Sequence, residues 1–125
     1  DPNGKSGGLS ASTYDVALDQ DVYLPPGGFC IASTVEHFTM PNNVDAVVHD
    51  KSTYARLGLS VFNTYLDPGW CGFLTLELSN RGPHVISLQR GSVIAQVRFC
   101  WLDEPAEQPY AGRYQNQARG PQESR

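Results

Sequence analysis

Several short clusters in this sequence carry side chains able to do chemistry. Lys51-Ser52-Thr53-Tyr54-Ala55-Arg56 sets two cations and two hydroxyls where a helical turn, Ser52 to Leu57, is expected to start. Backbone N–H groups at such a start, with Lys51 and Ser52 beside them, can cradle a phosphate. The ordinary alternative is a Ser-capped surface turn. Asp67 stands in Leu66-Asp67-Pro68-Gly69-Trp70, and an Asp before Pro is usually just a turn residue. Glu77 is set differently, inside a strand between Leu76 and Leu78. A carboxylate there either faces solvent or sits in a cleft with a shifted proton affinity, as general acid–base chemistry requires. Tyr110 to Gln117 offers aromatics, amides and Arg113 on a polar tail. That composition suits a flap over a nucleotide as well as it suits a plain terminus.

Some chemistry is excluded. The H-x-E…P-C-x-x-C set of the zinc-dependent cytidine deaminases is missing. So are the Walker loop, G-x-G-x-x-G and G-x-S-x-G. His37, His49 and His84 are isolated and read as structural or surface groups, so no metal site is expected. Cys30, Cys71 and Cys100 are odd in number and far apart, which argues against a disulfide framework or a C-x-x-C knuckle. They read as buried thiols of a cytosolic, and thus cytoplasmic, protein.

The elements that must position these groups are strands. Val22–Leu24 ends at Pro25-Pro26-Gly27-Gly28, a strong break. Phe29–Ala32, Val35–Met40 and Val44–His49 follow, with Pro41-Asn42-Asn43 between the last two. Leu57–Leu66 and Phe73–Leu78 flank the turn at Asp67-Pro68-Gly69, and Val85–Leu88 and Val93–Trp101 flank one at Arg90-Gly91. Thr75, Glu77 and Ser79 alternate with Leu74, Leu76 and Leu78, the period of a half-buried strand. Short strands with Gly/Pro punctuation predict an all-β sandwich, jelly roll or barrel.

The 125 residues suit one domain. The net charge of −4 is unlike that of a protein that coats nucleic acid. Seven acids and one base fall in the first fifty residues, and the remaining bases lie from Lys51 onward. An acidic chain with a few placed cations fits a small anionic ligand. No apolar run reaches the roughly 18 residues of a membrane span, and no signal-peptide pattern is seen. The opening Asp1 to Gly8 reads as a linker or trimmed end. Residues 105–125, rich in Gln, Gly, Pro and Arg, cannot form a core and are expected to be a flexible tail, disordered or ordered by a ligand or a neighbouring subunit.

Taken together and in order, the clusters resemble the dCTP deaminase family of the dUTPase-like superfamily. Ser12-Thr13-Tyr14-Asp15-Val16 is similar to its first motif, S-x-D-[VL]. Lys51 to Leu59 resembles R-S-S-x-A-R-x-G-L, with Lys51 where Arg is usual, and Asp67 to Gly72 resembles D-P-G-[WF]-x-G. Thr75 to Asn80 resembles the strand bearing the family's catalytic Glu, and Tyr114 to Gln117 resembles its tail. The resemblance runs from about residue 9 to the end.

It implies a distorted jelly roll over residues 9–104, a tail over 105–125 that closes the site, and a homotrimer with active sites between subunits. It implies hydrolytic deamination of dCTP without a metal at the base, in the service of pyrimidine deoxynucleotide metabolism. Glu77 would be the proton shuttle, with Ser52 and Arg56 placing and polarising the water. Asp67 would hold the sugar, and Thr75 would lie on the nucleotide-binding strand. Lys51, Thr53, Arg113 and Gln117, with Tyr110 more weakly, would meet the triphosphate. Mg2+ would arrive on the phosphates. Ile94-Ala95-Gln96 is similar to the A-Q of bifunctional, dUMP-forming members and of dUTPases, which makes Gln96 a further nucleotide-binding candidate. The segment Gly58 to Asp67 is shorter than is usual in the deaminases. Two alternatives stand beside the deaminase: a dUTP pyrophosphatase with Asp67 activating water, and an inactive nucleotide-binding relative.

Overall fold

The computed structural model describes residues 9–10, 13–62, 64–105, 107, 109–112 and 114–121. Among the described residues, ten strands and one helical turn make up the regular structure: β1 (Leu9–Ser10), β2 (Thr13–Ala17), β3 (Val22–Leu24), β4 (Phe29–Thr39), β5 (Val44–Asp50), α1 (Ser52–Ala55), β6 (Leu59–Val61), β7 (Tyr65–Leu66), β8 (Cys71–Asn80), β9 (Ile86–Leu88) and β10 (Val93–Trp101). They form a five-stranded sheet in the order β1-β2-β10-β5-β7, a three-stranded sheet β4-β8-β6 and a pair β3-β9. All the pairings are antiparallel. This is the all-β architecture expected from the strand spacing. No helix among the described residues is long and apolar enough to cross a membrane.

The sequence pattern explains the core. Along β8, Leu74, Leu76 and Leu78 point inward, and along β5 Val44, Ala46 and Val48 do the same. They meet Val16, Leu18, Ala32, Ile94 and Val97, all of which have no exposed surface. With period two, that inward face leaves Thr75, Glu77 and Ser79 on the opposite side of β8. Asn80 ends the strand buried, donating to the carbonyls of Leu24 (2.9 Å) and His84 (2.7 Å) and accepting from the Gly82 N–H (2.9 Å). The amide thereby ties the end of β3 and the turn after β8 to one strand end.

Two of the expected stretches are divided differently. Phe29–Ala32 and Val35–Met40 are a single strand, β4, whose register against β8 shifts between Ser33 and His37. Thr34 bridges the irregularity, its hydroxyl donating to the Glu36 carbonyl (2.9 Å) and accepting from the Leu74 N–H (3.2 Å). The strand expected across Leu57 to Leu66 is in fact two. After β6 the chain leaves β8 and crosses to β5, with Val61 N–H on the Asp50 carboxylate (2.7 Å) and Val48 N–H on the Thr64 carbonyl (2.9 Å). The cysteines are not the buried thiols expected. All three are free, Cys30 and Cys71 are half-buried, and Cys100 is exposed.

Candidate active site

A cavity of about 540 Å³ opens between β4, β8, the β7 turn and the tail. That volume lies within the range of small-ligand pockets. Its walls are mainly apolar and aromatic, from Phe29, Ile31, Leu66, Trp70, Leu74, Tyr110 and Tyr114, with Thr64, Asp67, Thr75, Glu77 and Gln117 as the polar groups. No lysine or arginine lies among these lining residues.

Glu77 reaches the cavity because it stands on the polar face of β8, two residues after Thr75. It is half-buried, and burial pushes its carboxyl above the usual carboxylate range. Thr64 partly opposes this, its hydroxyl donating to Oε1 of Glu77 at 3.3 Å. Asp67 follows β7 and also has its carboxyl pushed up, first by burial and then by the charge of Asp45. Asp45 accepts a hydrogen bond from the Tyr65 hydroxyl, whose pKa is thereby pushed up to about 12. Two carboxyl groups with raised proton affinity thus share one mainly apolar pocket, an arrangement suited to general acid–base proton transfer.

The Asp67-Pro68-Gly69-Trp70-Cys71-Gly72 segment is built to receive the tail. Gly69 has φ +85°, and a Cβ there would lie 2.6 Å from Pro109 Cβ. Gly72 has φ +151°, and a Cβ there would lie 2.6 Å from the Gln117 backbone nitrogen. The space those side chains would have filled lets residues 109–112 and 114–117 lie along the strand. Trp70 Nε1 donates to the Tyr114 carbonyl (2.8 Å), and Asn116 N–H donates to the Cys71 carbonyl (2.7 Å). Gln115 accepts from the Cys71 N–H (2.7 Å) and donates to the carbonyls of Gly69 and Tyr110 (both 3.0 Å). Gln117 forms a parallel bridge with Gly72, and its side-chain amide donates to the Phe73 carbonyl (2.7 Å) and to Thr75 Oγ1 (3.1 Å). Thr75 and Gln117 are buried by this contact.

The structure divides the sequence-predicted residues into two groups. Glu77, Asp67, Thr75, Tyr110 and Gln117 line the cavity. Lys51, Ser52, Thr53, Arg56 and Gln96 do not. Lys51 Nζ is bound to Asp15 (3.1 Å), and Gln96, paired with Asp15 across β2 and β10, donates to the Asp50 carbonyl (3.2 Å). Ser52, Thr53 and Arg56 are exposed. Arg56 borders a separate groove with Tyr54, Leu57 and residues 83–89. The helical turn expected over Ser52 to Leu57 is shorter, a single turn over Ser52–Ala55. Arg113 lies outside the described residues. Thr64 was not singled out in the sequence, because a lone threonine in a turn gives no signal. Trp70 and Tyr114 were visible only as parts of their motifs.

A family model described as dCTP deaminase-like matches residues 9–101. The chain belongs to that family. It is 45% identical over 97 residues to a dCTP deaminase of Roseiflexus castenholzii, covering 75% of this chain and 53% of that protein. It is 42% identical over 118 residues to a dUMP-forming dCTP deaminase of Kocuria rhizophila, covering 89% and 61% respectively. With a dUMP-forming dCTP deaminase of Mycobacterium leprae, identity is 44% over 121 residues, covering 91% and 63%. The chain therefore spans between about half and two thirds of the length of these relatives. Among solved structures, native EIAV dUTPase superposes with a TM-score of 0.67 at 24% identity, over 82% of this chain and 85% of that one. A mutant dUTPase of S. aureus phage phi11, a structure concerned with the coordination of a structural Mg(II) ion, gives 0.69 at 13% identity, over 86% and 88%. These neighbours establish the dUTPase-like fold.

Proposed function

We propose that this domain deaminates dCTP by hydrolysis, with Glu77 as the proton-transfer group. The observation that carries the reading is the Glu77 carboxyl itself: half-buried, raised in proton affinity and held in an aromatic cavity of nucleotide size. Water adds to C4 of the cytosine ring, one of its protons passing through Glu77 to N3; the second proton then passes from the new C4 hydroxyl through Glu77 to the amine, and C4=O forms as the C4–N bond breaks. The products are a uracil nucleotide and ammonia. A base moving a proton in this way contributes about 10²–10⁴ in rate. The trp-tyrosine wall of Trp70, Tyr110 and Tyr114 would exclude bulk water and stack on the ring. Asp67, at the cavity's turn side, would hold the sugar, with Thr75 and Gln117 beside the nucleotide.

The cavity's lack of lining cations supports a shared site. A triphosphate needs positive charge, and the described cavity walls carry none. Lys51, Ser52, Thr53 and Arg56 form an exposed to half-exposed cationic set away from the cavity, able to complete a neighbour's site. A homotrimer in which one chain offers this set to another's cavity, with Gln96 behind it and Arg113 on the tail, meets that need. Light scattering at micromolar concentration is expected to give three chain masses.

Magnesium belongs to the substrate in this reading. Among the described residues no group of three His, Cys, Asp or Glu could hold a metal ion. The ion would come in on the triphosphate.

The dUMP-forming version has a specific support, because relatives of that name align over 89% and 91% of this chain. In it Asp67 would also direct a second water at the α-phosphate. Incubation with dCTP and, separately, with dUTP, each with magnesium, tests these readings. Ammonia with dUMP and pyrophosphate from dCTP supports the bifunctional reaction. Ammonia with stoichiometric dUTP supports a simple deaminase. Cleavage of dUTP without reaction of dCTP would overturn the deaminase in favour of a dUTPase.

A further inference from the structure

At Arg119 the tail is tied to the body by a charge cluster that lies outside the cavity. Asp19 follows the bridge between Leu18 and Thr34, and its backbone N–H is bound to the Ser33 carbonyl (2.9 Å). Its neighbour Leu18 is held through both backbone groups, to Ser92 (2.9 Å) and Gly91 (2.8 Å). The carboxylate therefore stands on a fixed turn, with 12% of its side-chain surface exposed. Arg119, one hundred residues later, approaches it with two nitrogens, Nε on Oδ2 at 2.6 Å and an Nη on Oδ1 at 3.2 Å. Arg90 adds contacts to Oδ1 at 3.0 and 3.1 Å. The Arg119 guanidinium also lies over the Phe73 ring, 5.5 Å from its centre.

An isolated exposed ion pair contributes little. This one is two-pronged, joined to a second arginine and stacked on an aromatic ring, which adds geometric definition. Arg119 and Arg90 hold the Asp19 carboxyl below the usual carboxylate range, so it is charged throughout the neutral region. The position of the pair gives it a consequence. Arg119 is two residues beyond Gln117, whose backbone carbonyl accepts from the Phe73 N–H (3.0 Å) and whose amide rests on Thr75. A slip of one residue in the tail would remove that amide from the cavity floor.

We propose that Asp19 is a positioning residue: by gripping Arg119 it fixes the register in which the tail lies on β8, and so completes the wall of the nucleotide cavity. The part concerning nucleotide rests on the deaminase reading above, whereas the part concerning the tail does not.

Amide hydrogen exchange and turnover of dCTP test the two parts on the full chain. In Asp19→Asn and in Arg119→Gln, exchange at Phe73 and Asn116, whose N–H groups bridge tail and strand, is expected to speed up at least fivefold. Amides of the core strands β5 and β10 keep their protection. The double variant is expected to be no faster than either single one, and Asp19→Glu is expected to recover part of the protection. Half a molar salt should bring the wild type toward the variants. KM for dCTP should rise at least fivefold in both single variants while kcat changes less than threefold. Unchanged exchange at Phe73 and Asn116 would overturn the latch, as would fully additive effects in the double variant. Faster exchange with unchanged KM would overturn its role in the site. If the wild type turns over neither dCTP nor dUTP, the deaminase reading fails, and exchange alone decides whether Asp19 holds the tail.

Discussion

Replacing Thr64 by Val should shift the acid side of the activity profile without harming the fold. The substitution keeps the shape of the side chain and removes one hydroxyl. That hydroxyl has two acceptors, Oε1 of Glu77 at 3.3 Å and the Phe62 carbonyl at 3.4 Å. Hydrogen bonds to charged groups contribute about 1.5–3 kcal/mol when well made. Both contacts here are long and share a single proton, so about 1 kcal/mol is the reasonable size for the bond to Glu77. An energy of about 1 kcal/mol changes a protonation equilibrium about fivefold. The bond favours the charged carboxylate, so its loss raises the proton affinity of Glu77 further. The acid limb of kcat/KM for dCTP, which reports the carboxylate able to take a proton from water, should move to higher pH, with the plateau little changed. A rate profile measured from pH 4.5 to 9 on both proteins reads this directly. An unmoved limb, or one displaced to lower pH, would refute the coupling between Thr64 and Glu77.

Two further outcomes follow from the same site. Burial raises the proton affinity of Glu77 in the folded state, so the folded protein binds this proton more tightly than the unfolded chain does. Its contribution to stability is therefore full below the unfolded pKa and is lost as pH rises through the folded pKa. Glu77→Gln should accordingly raise Tm at pH 8 relative to wild type, with the gain vanishing toward pH 4; a lower Tm at pH 8 would contradict the burial argument. Asp67→Asn should stop pyrophosphate release and weaken dCTP turnover by at least tenfold, with the fold kept, since Asp67 is only half-buried; pyrophosphate release at the wild-type rate would remove Asp67 from the chemistry.

The strands that carry the site were legible because their physics is local. Period-two alternation put Glu77 on the polar face of β8, and Pro25 to Gly28 and Pro41 to Asn43 marked breaks that the structure keeps. Val22–Leu24 and Val93–Trp101 have the expected bounds. The irregularity in β4 was illegible because it depends on Thr34 bonding across to Leu74, a contact forty residues apart. The crossing between β6 and β7 depends likewise on Asp50 receiving the Val61 N–H. In the site, the order of motifs pointed to the family, yet no sequence pattern said that Gly69 and Gly72 make room for the tail. Nor could it say that Asp67, Glu77 and Gln117 share one cavity while Lys51 and Arg56 face elsewhere.

The central claim is that Glu77 moves the protons of deamination. Ammonia release from dCTP by wild type and by Glu77→Gln, with dCTP binding measured on the same preparations, tests it most directly. The amide keeps the size of the side chain and abolishes its exchangeable proton at the carboxyl. Ammonia release is expected to fall by about 10²–10⁴, with binding changed only a few-fold. Ammonia released by Glu77→Gln at the wild-type rate would contradict the account.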